Sequence, residues 1–95
     1  MPKISICVPV YNVERYIGRC LESMQRQSLS DIEIIVVNDH TPDKSMSIVK
    51  KYAEKDHRIK IIEHDKNHGQ MMARRTGYTM AKGDYITFCD GDDSL

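Results

Sequence analysis

Apolar residues follow two different spacings along this chain, and each change of spacing predicts a new element. In "KISICVPV" they occur at every second position, which is the period of a strand, and we place this strand at about 3–10. From Val13 onwards they recur every three or four positions, as on one face of a helix. The pattern therefore predicts a helix over about 13–27, with Asn12 as its N-cap.

Strand and helix patterns continue to alternate through the rest of the sequence. "IEIIVVND", "RIKIIEH" and "DYITFC" predict three more strands, and the Ile/Val run of the first is typical of a strand buried on both faces. A second helix is predicted after the turn "TPD", and a third over about 70–82, with Gly83 as its stop. The predicted inner face of this third helix is narrow and made mostly of small residues: Met72, Ala73, Thr76, Gly77, Met80 and Ala81. The order β-α-β-α-β-α-β predicts an α/β protein with a three-layer α/β/α, Rossmann-like arrangement, in which helices cover both faces of a mostly parallel sheet.

Length, charge and cysteine content limit the classes of protein that remain. With 95 residues the chain is one domain, 1–95. Fourteen basic residues balance fourteen acidic ones, which argues against a nucleic-acid-binding protein. Three widely spaced cysteines without a CxxC pair indicate buried thiols rather than a disulfide framework or a zinc site. No apolar stretch approaches the roughly 20 residues that cross a bilayer, so we expect a cytoplasmic protein that reaches a membrane surface only through other segments.

Candidate chemistry lies in the segments that leave the predicted strands, because ligands of such sheets bind at the carboxyl ends of the strands. Three of these segments read "PVYN", "NDHTPD" and "DGDD". In the last, Asp90 and Asp92 can direct two carboxylates at one point, where their mutual repulsion favours a hard divalent cation such as Mg²⁺ or Mn²⁺. The same spacing fits a solvated acidic terminus equally well.

The other two segments offer groups that suit a nucleobase. An ionised carboxylate only accepts hydrogen bonds, so Asp39 suits an N–H donor such as the imide of uracil, although Asp39 or Asp43 can equally cap the following helix. Tyr11 offers an aromatic face on which a base can stack. Asn12 offers a bidentate amide beside it, or serves only as a helix cap.

Arginines and histidines are less informative. Arg74 or Arg75 can pair with a phosphate if it points inward, but either also fits a solvated helix surface. His40 is close enough in sequence to Asp39 to share its site. The other histidines show no metal-ligand spacing, and we predict that they lie on the surface: His57, His64 and His68.

Four ordered segments together resemble one family. "ISICVPVYNVERYIGRCLESMQRQS", "IEIIVVNDHTPDKS", "KNHGQMMARRTG" and "AKGDYITFCDGDD" are similar to the N-terminal, nucleotide-sugar-binding half of family 2 glycosyltransferases, which have the GT-A fold. The similarity runs from 3 to 94. It implies that Asp39 contacts the base and that Arg74 matches the arginine of the family's "ARN" segment. It also implies that the exit of the first strand lines the nucleotide pocket, with Pro9, Tyr11 and Asn12.

The resemblance assigns the last acids to the family's DxD motif. Asp92 is then the ligand of an Mn²⁺ or Mg²⁺ ion that bridges the donor's diphosphate, and Asp90 supports it. The implied reaction is inverting transfer of a sugar from a nucleotide-diphosphate sugar, with UDP-sugars favoured, to a hydroxyl of a glycan or lipid-linked acceptor in polysaccharide or cell-wall synthesis.

The resemblance also implies where the catalytic base lies. In the family, the base and the acceptor surface follow the DxD motif, so we expect the base beyond Leu95, the last residue of this sequence. We therefore expect no catalytic residue in this chain, contact with the acceptor through other segments, and no transfer by the chain alone.

Four positions depart from the family pattern. Asn38 replaces the first acid of the "DDGS" segment, and His40 replaces its glycine. Pro42 follows where threonine is common, and Arg75 stands where asparagine is usual. A histidine in the glycine position leaves the preferred base or sugar undefined.

Three other functions are compatible with an α/β chain of this kind. A non-catalytic nucleotide-binding or assembly module is the main alternative, and the apolar fourth strand, expected at a sheet edge, predicts self-association. A phosphoacceptor receiver domain needs an acid pair where "PVYN" stands. A sugar-nucleotide pyrophosphorylase needs a glycine-rich, basic loop there, so both are disfavoured.

Overall fold

Strands and helices alternate along the chain in the computed structural model, which describes residues 4–11, 14–26 and 31–89. The strands in these residues are β1 (Ile4–Val10), β2 (Ile32–Asn38), β3 (Ile59–Glu63) and β4 (Tyr85–Phe88). The helices are α1 (Ile17–Gln25), α2 (Ser45–Lys55) and α3 (Gln70–Met80). This is the predicted order of elements.

The four strands form one sheet in the order β3-β2-β1-β4, and every neighbouring pair is parallel. β1 pairs with β2 along its whole length, from Ile4 opposite Ile32 to Val10 opposite Asn38. β4 pairs only with the first half of β1. The carboxyl ends of β1 and β2 therefore lie side by side, and β4 forms an edge of the sheet among the described residues.

Helices cover both faces of the sheet, which confirms the three-layer prediction. Alternate residues of β1, among them Ile6 and Val8, pack in the larger core with the buried residues of α1 and α2. Cys7, on the opposite face, packs in a smaller core with Ala73 of α3. As predicted, the three cysteines are buried thiols. In the described part of the chain, no helix is long and apolar enough to span a bilayer.

Helix α3 lies very close to β1 because Gly77 faces Cys7. A Cβ atom added to Gly77 would lie 3.0 Å from both Cβ and Sγ of Cys7. The contact therefore requires a residue without a side chain on the helix. Burial, together with the nearby charge of Glu33, raises the pKa of Cys7 to about 11, so the thiol at this contact is uncharged at neutral pH.

A buried carboxylate holds the segment that follows α3 against the sheet. Glu33 on β2 accepts hydrogen bonds from Oγ of Ser5 at 2.6 Å, from the amide of Lys82 at 2.6 Å and from Nζ of Lys60 at 2.9 Å. Burial alone would raise the pKa of Glu33, but these hydrogen bonds outweigh it and hold the pKa below its usual value. An acid thus stands in an otherwise apolar strand because it bonds three neighbouring elements.

Three predictions about α3 are wrong. The helix ends at Met80 rather than near 82, and Gly83 is not its stop. Gly83 instead lies against β1, where its amide donates to Oγ of Ser5 at 2.8 Å and an added Cβ would lie 2.7 Å from the same atom. Met72 and Met80 are exposed and do not belong to the inner face, whereas the predicted Ala73 and Gly77 do form the narrow face that touches the sheet.

The start of α1 also differs from the prediction. The helix begins at Ile17 rather than near 13, and its N-cap residue is Tyr16, whose side chain makes no capping hydrogen bond. The predicted cap, Asn12, lies outside the described residues.

Replacing Gly77 with alanine is expected to lower the free energy of unfolding by about 1–3 kcal/mol, because the new methyl group has no room beside Cys7. Gly18 of α1 provides a matched control, since its added Cβ would meet Ile48 at an ordinary 3.6 Å. Gly18→Ala should raise the stability by up to about 1 kcal/mol through helix propensity. Urea unfolding followed by circular dichroism measures both, and equal shifts for the two variants would contradict this packing.

Candidate functional site

Backbone hydrogen bonds bring the strand exits to one edge of the sheet. The amide of Asp39 donates to the carbonyl of Val10 at 3.0 Å, and the amide of His64 donates to the carbonyl of Asn38 at 2.9 Å. The first residue after β2 therefore bonds the last residue of β1, and the first residue after β3 bonds the last residue of β2. We refer to this carboxyl end of the sheet as the ligand edge.

The end of β4 is held from two sides. The amide of Cys89 donates to the carbonyl of Cys7 at 2.9 Å, and Sγ of Cys89 lies 3.6 Å from Sγ of Cys20 on α1. Cys89 directly precedes the predicted metal ligands in sequence. The chain thus enters that motif from a fixed, buried position.

Asp39 is the central charged group of the ligand edge, and it is only 2% exposed. Its Oδ1 lies 3.0 Å from Nδ1 of His64 and accepts from the amide of His68 at 2.9 Å, while Oδ2 accepts from the amide of Gly69 at 2.9 Å. Burial alone would raise the pKa of Asp39, but the hydrogen bonds from His64 and the two amides outweigh it and hold the pKa below its usual value. Asp39 is therefore an ionised acceptor at neutral pH.

His64 connects this carboxylate to α3. Its Nε2 lies 2.9 Å from Oγ1 of Thr76, and its side chain is 11% exposed. The ring of His68 packs edge-on against it, with 5.1 Å between ring centroids. The prediction that His64 lies on the surface is wrong, whereas His57 is exposed as expected. A usable signal was present, because His64 directly follows a strand and so belongs to the ligand edge.

Asp43, rather than Asp39, bonds the first turn of α2. Its Oδ1 accepts from the amide of Ser45 at 3.0 Å, and its Oδ2 accepts from the amide of Glu14 at 3.0 Å. Oε1 of Glu14 in turn accepts from the amide of Lys44 at 2.9 Å. Asp43 and Glu14 therefore join the segment after β1 to the start of α2. The described side-chain hydrogen bonds of Asp39 do not go to this turn but to three other residues: His64, His68 and Gly69.

Asn38 and His40 fit the turn that follows β2. Oδ1 of Asn38 accepts from the amide of Thr41 at 3.0 Å, and Nδ2 donates to Oε1 of Glu63 at 3.2 Å. An aspartate at this position would face Glu63 as a like charge. His40 is exposed and has a φ of 56°, a left-handed conformation in which glycine is more usual.

The remaining candidate residues within the described chain lie at the end of β1 and on α3. Pro9 is buried near the end of β1, and Tyr11, which follows the strand, is 42% exposed. Arg74 of α3 places its guanidinium carbon 5.9 Å from the ring centroid of Phe88, the last residue of β4, whereas Arg75 is exposed. The other predicted site residues lie outside the described residues: Asn12, Asp90 and Asp92.

No cluster of three or more potential metal ligands occurs within residues 4–11, 14–26 and 31–89. The metal site predicted from Asp90 and Asp92 falls on residues that the structure does not describe, so it stays a prediction.

The predicted position of the catalytic base is likewise untested. Leu95 itself lies outside the described residues, which end at Cys89. The expectation that the base follows Leu95, and that this chain holds no catalytic residue, therefore also stays a prediction.

Comparisons with known proteins agree on one family. Residues 5–95 match the family described as "Glycosyl transferase family 2". The glycosyltransferase EpsJ of Bacillus subtilis is 55% identical over 93 residues, which cover 98% of this chain and 27% of EpsJ. A poly(ribitol-phosphate) beta-glucosyltransferase of Bacillus spizizenii is 43% identical, with 98% of this chain and 15% of that protein covered.

A solved structure shares the fold over nearly the whole chain. The structure of TarS 1-349 from S. aureus in complex with UDP-GlcNAc superimposes with a TM-score of 0.90 at 34% identity. The superposition covers 97% of this chain and 27% of that one. The chain thus spans about a quarter of the length of EpsJ and of TarS 1-349.

Replacing Asp39 with asparagine is expected to lower the free energy of unfolding by about 2–4 kcal/mol at pH 7, because the amide cannot accept all three buried hydrogen bonds. The folded-state pKa of Asp39 is depressed, so its contribution is complete above the unfolded value near 4 and disappears as the pH falls through the lower folded pKa. The difference between wild type and variant should therefore shrink below about pH 4.

Urea unfolding at several pH values tests this expectation. Asp65→Asn is the matched control, because the Asp65 side chain is 87% exposed and its loss should change little at any pH. A deficit of Asp39→Asn that stays constant from pH 7 to pH 3 would show that the ionised carboxylate does not provide the stability.

Proposed function

Because this chain belongs to glycosyltransferase family 2, we propose that it is the donor-binding part of an enzyme that transfers a sugar from a nucleotide-diphosphate sugar to an acceptor hydroxyl. The observation that carries the proposal is that Tyr11 and the buried Asp39 carboxylate follow two neighbouring parallel strands at the same end of the sheet, where the amide of Asp39 bonds the carbonyl of Val10. The relative TarS was solved with UDP-GlcNAc, which favours a UDP-sugar as donor. Transfer itself is assigned to the whole protein, since this chain spans only part of its relatives.

The donor's base is proposed to lie between Tyr11 and Asp39. An ionised carboxylate has about four acceptor positions, and three of those of Asp39 are used within the fold. The fourth, on Oδ2, suits the imide N–H of uracil. The half-exposed ring of Tyr11 supplies a stacking surface beside it.

The diphosphate is proposed to lie between α3 and the segment after β4. Arg74 is directed toward the end of β4 by its contact with Phe88, and its guanidinium suits phosphate oxygens. Asp92, with Asp90 in support, would hold the divalent cation, because carboxylates are the hard oxygen ligands that Mg²⁺ and Mn²⁺ prefer. Such a cation, when bound, neutralises charge on the leaving nucleoside diphosphate.

We propose that the acceptor-binding surface and the catalytic base lie in the whole protein beyond Leu95. The proposed reaction is direct displacement at the anomeric carbon with inversion, in the synthesis of a glycan or polysaccharide. The similarity to a poly(ribitol-phosphate) beta-glucosyltransferase supports a polymer as acceptor. A cytoplasmic location stays a prediction.

A nucleotide-binding assembly module is the second candidate, and the exposed edge of the sheet favours it. Tyr85 and Phe88 of β4 are 66% and 41% exposed, and the outer side of this strand is unpaired among the described residues. An apolar strand edge of this kind recruits further strands. We propose that the 95-residue chain self-associates through β4.

Calorimetric titration of the chain with UDP tests the proposed function. We expect UDP to bind in the presence of Mn²⁺, with Tyr11→Ala weakening it about tenfold through loss of base stacking. Asp92→Asn should abolish the increase in affinity that Mn²⁺ provides. Tyr85→Ala, which removes an exposed tyrosine at the opposite end of the sheet, is the control and should bind UDP normally. Absence of UDP binding to the wild type, with and without Mn²⁺, would overturn the proposed function.

Light scattering tests the proposed self-association. At about 100 μM we expect oligomers of the wild type, and a lysine introduced by Tyr85→Lys should restore a monomer because a charge on the edge opposes strand pairing. Tyr78→Lys, at an exposed position of α3, is the matched control and should leave the oligomers intact. A monomeric wild type at this concentration would rule out association through the β4 edge.

A further inference from the structure

A continuous chain of hydrogen-bonding groups connects the ligand edge to α3. Oδ1 of Asp39 lies 3.0 Å from Nδ1 of His64, and Nε2 of the same ring lies 2.9 Å from Oγ1 of Thr76. The side chains of His64 and Asp39 are 11% and 3% exposed, so water competes little for these bonds. The ring is therefore held at both nitrogens by partners from different elements.

The chemistry of the partners fixes the direction of each bond. An ionised Asp39 can only accept, so Nδ1 of His64 must carry the hydrogen. In the neutral ring, Nε2 is then an acceptor, and it receives the hydroxyl hydrogen of Thr76. Asp39 therefore selects the Nδ1–H tautomer, and Thr76 fits this tautomer by donating to Nε2 and holding the ring in place.

We propose that His64 and Thr76 are positioning residues for the nucleotide base: they hold the Asp39 carboxylate in the orientation that leaves one acceptor position of Oδ2 for the base. This inference rests on the proposed function. The amides of His68 and Gly69 occupy two other acceptor positions, so the bond from His64 completes the set that fixes the plane of the carboxylate. Neither His64 nor Thr76 needs to touch the nucleotide.

These hydrogen bonds connect α3 to the proposed base contact, and α3 also carries the proposed phosphate contact. Thr76 lies two residues after Arg74, which is proposed to contact the phosphates. Gly69, at the N-cap of α3, donates to Asp39 directly. A shift of α3 relative to β2 would thus move the base contact and the phosphate contact together.

Substitution of Thr76 tests the proposal with two nucleotides. Thr76→Val keeps the shape of the side chain and removes the hydroxyl, and we expect it to weaken UDP binding about fivefold to tenfold, the effect of one lost hydrogen bond. CDP lacks the imide N–H, so its affinity should change much less. Thr76→Ser keeps the hydroxyl and should restore UDP binding.

The controls separate this inference from the proposed function and from general damage. Thr79→Val changes an exposed threonine of the same helix, whose hydroxyl bonds the carbonyl of Arg75, and should bind UDP as the wild type does. Equal weakening of UDP and CDP by Thr76→Val, or no weakening of either, would overturn the positioning role. Failure of the wild type itself to bind UDP would instead refute the proposed function, and the positioning role with it.

Nitrogen chemical shifts of His64 give a second readout that needs no variant and no nucleotide. Long-range ¹H–¹⁵N spectra of the folded chain at pH 8 should show a protonated Nδ1 and an unprotonated Nε2. A ring that carries its hydrogen on Nε2 alone would contradict the proposed arrangement, because such a ring cannot donate to Asp39.

Discussion

The attachment of α3 to β2 through two buried carboxylates is the constraint on which the rest of the structure depends. Asp39, directly after the strand, accepts from the amide of Gly69 at the start of the helix. Glu33, near the other end of β2, accepts from the amide of Lys82 just after the helix. Between these two attachments, Gly77 lets the helix lie directly on β1. The position of α3, and of every side chain that it carries toward the ligand edge, follows from these contacts.

The negative charge of Asp39 suits its place at the amino-terminal end of α3. The exposed amides at a helix N-terminus carry partial positive charge, so an anion there is favoured. Asp39 therefore stabilises the helix and gains from it, which agrees with the direction of its pKa shift. Burial of a carboxylate normally opposes ionisation, and these donors reverse that effect.

Much of the fold could be predicted from spacing alone, because strand and helix periods differ and parallel connections are restricted. The ligand edge could be predicted as well, since the rule about strand ends selects Tyr11 and Asp39 without any coordinates. Periodicity could not decide which stripe of α3 faces the sheet. Both Met72 and Gly77 fit a helical pattern, but only a residue without a side chain fits beside Cys7. The helix limits were missed because Ser5 and Glu33, distant in sequence, bond the residues after α3.

The departures from the family pattern also have local physical reasons. Asn38 stands opposite Glu63 in the sheet register, and its amide turns a repulsive pair into a hydrogen bond. The side-chain oxygen Oδ1 of Asn38 accepts from the amide of Thr41 and so closes the turn in which His40 takes a left-handed conformation. Asparagine at position 38 thus satisfies two partners that one carboxylate could not, since an ionised acid cannot donate to Glu63.

Asp39 and Glu33 both attach α3 and its flanking residues to β2, but their surroundings differ. Glu33 has a lysine partner, Lys60, whose positive charge compensates its own. The described hydrogen-bond donors to Asp39 are an imidazole and two amides. They orient the carboxylate, and they stabilise its charge through the partial charges of N–H groups, whereas Glu33 also has the full charge of a lysine beside it. A group that the fold has oriented in this way needs little reorganisation when a further N–H donor approaches. The bonds that stabilise α3 are for that reason also the bonds that prepare Asp39 to bind, and stability and recognition at this edge cannot be changed independently.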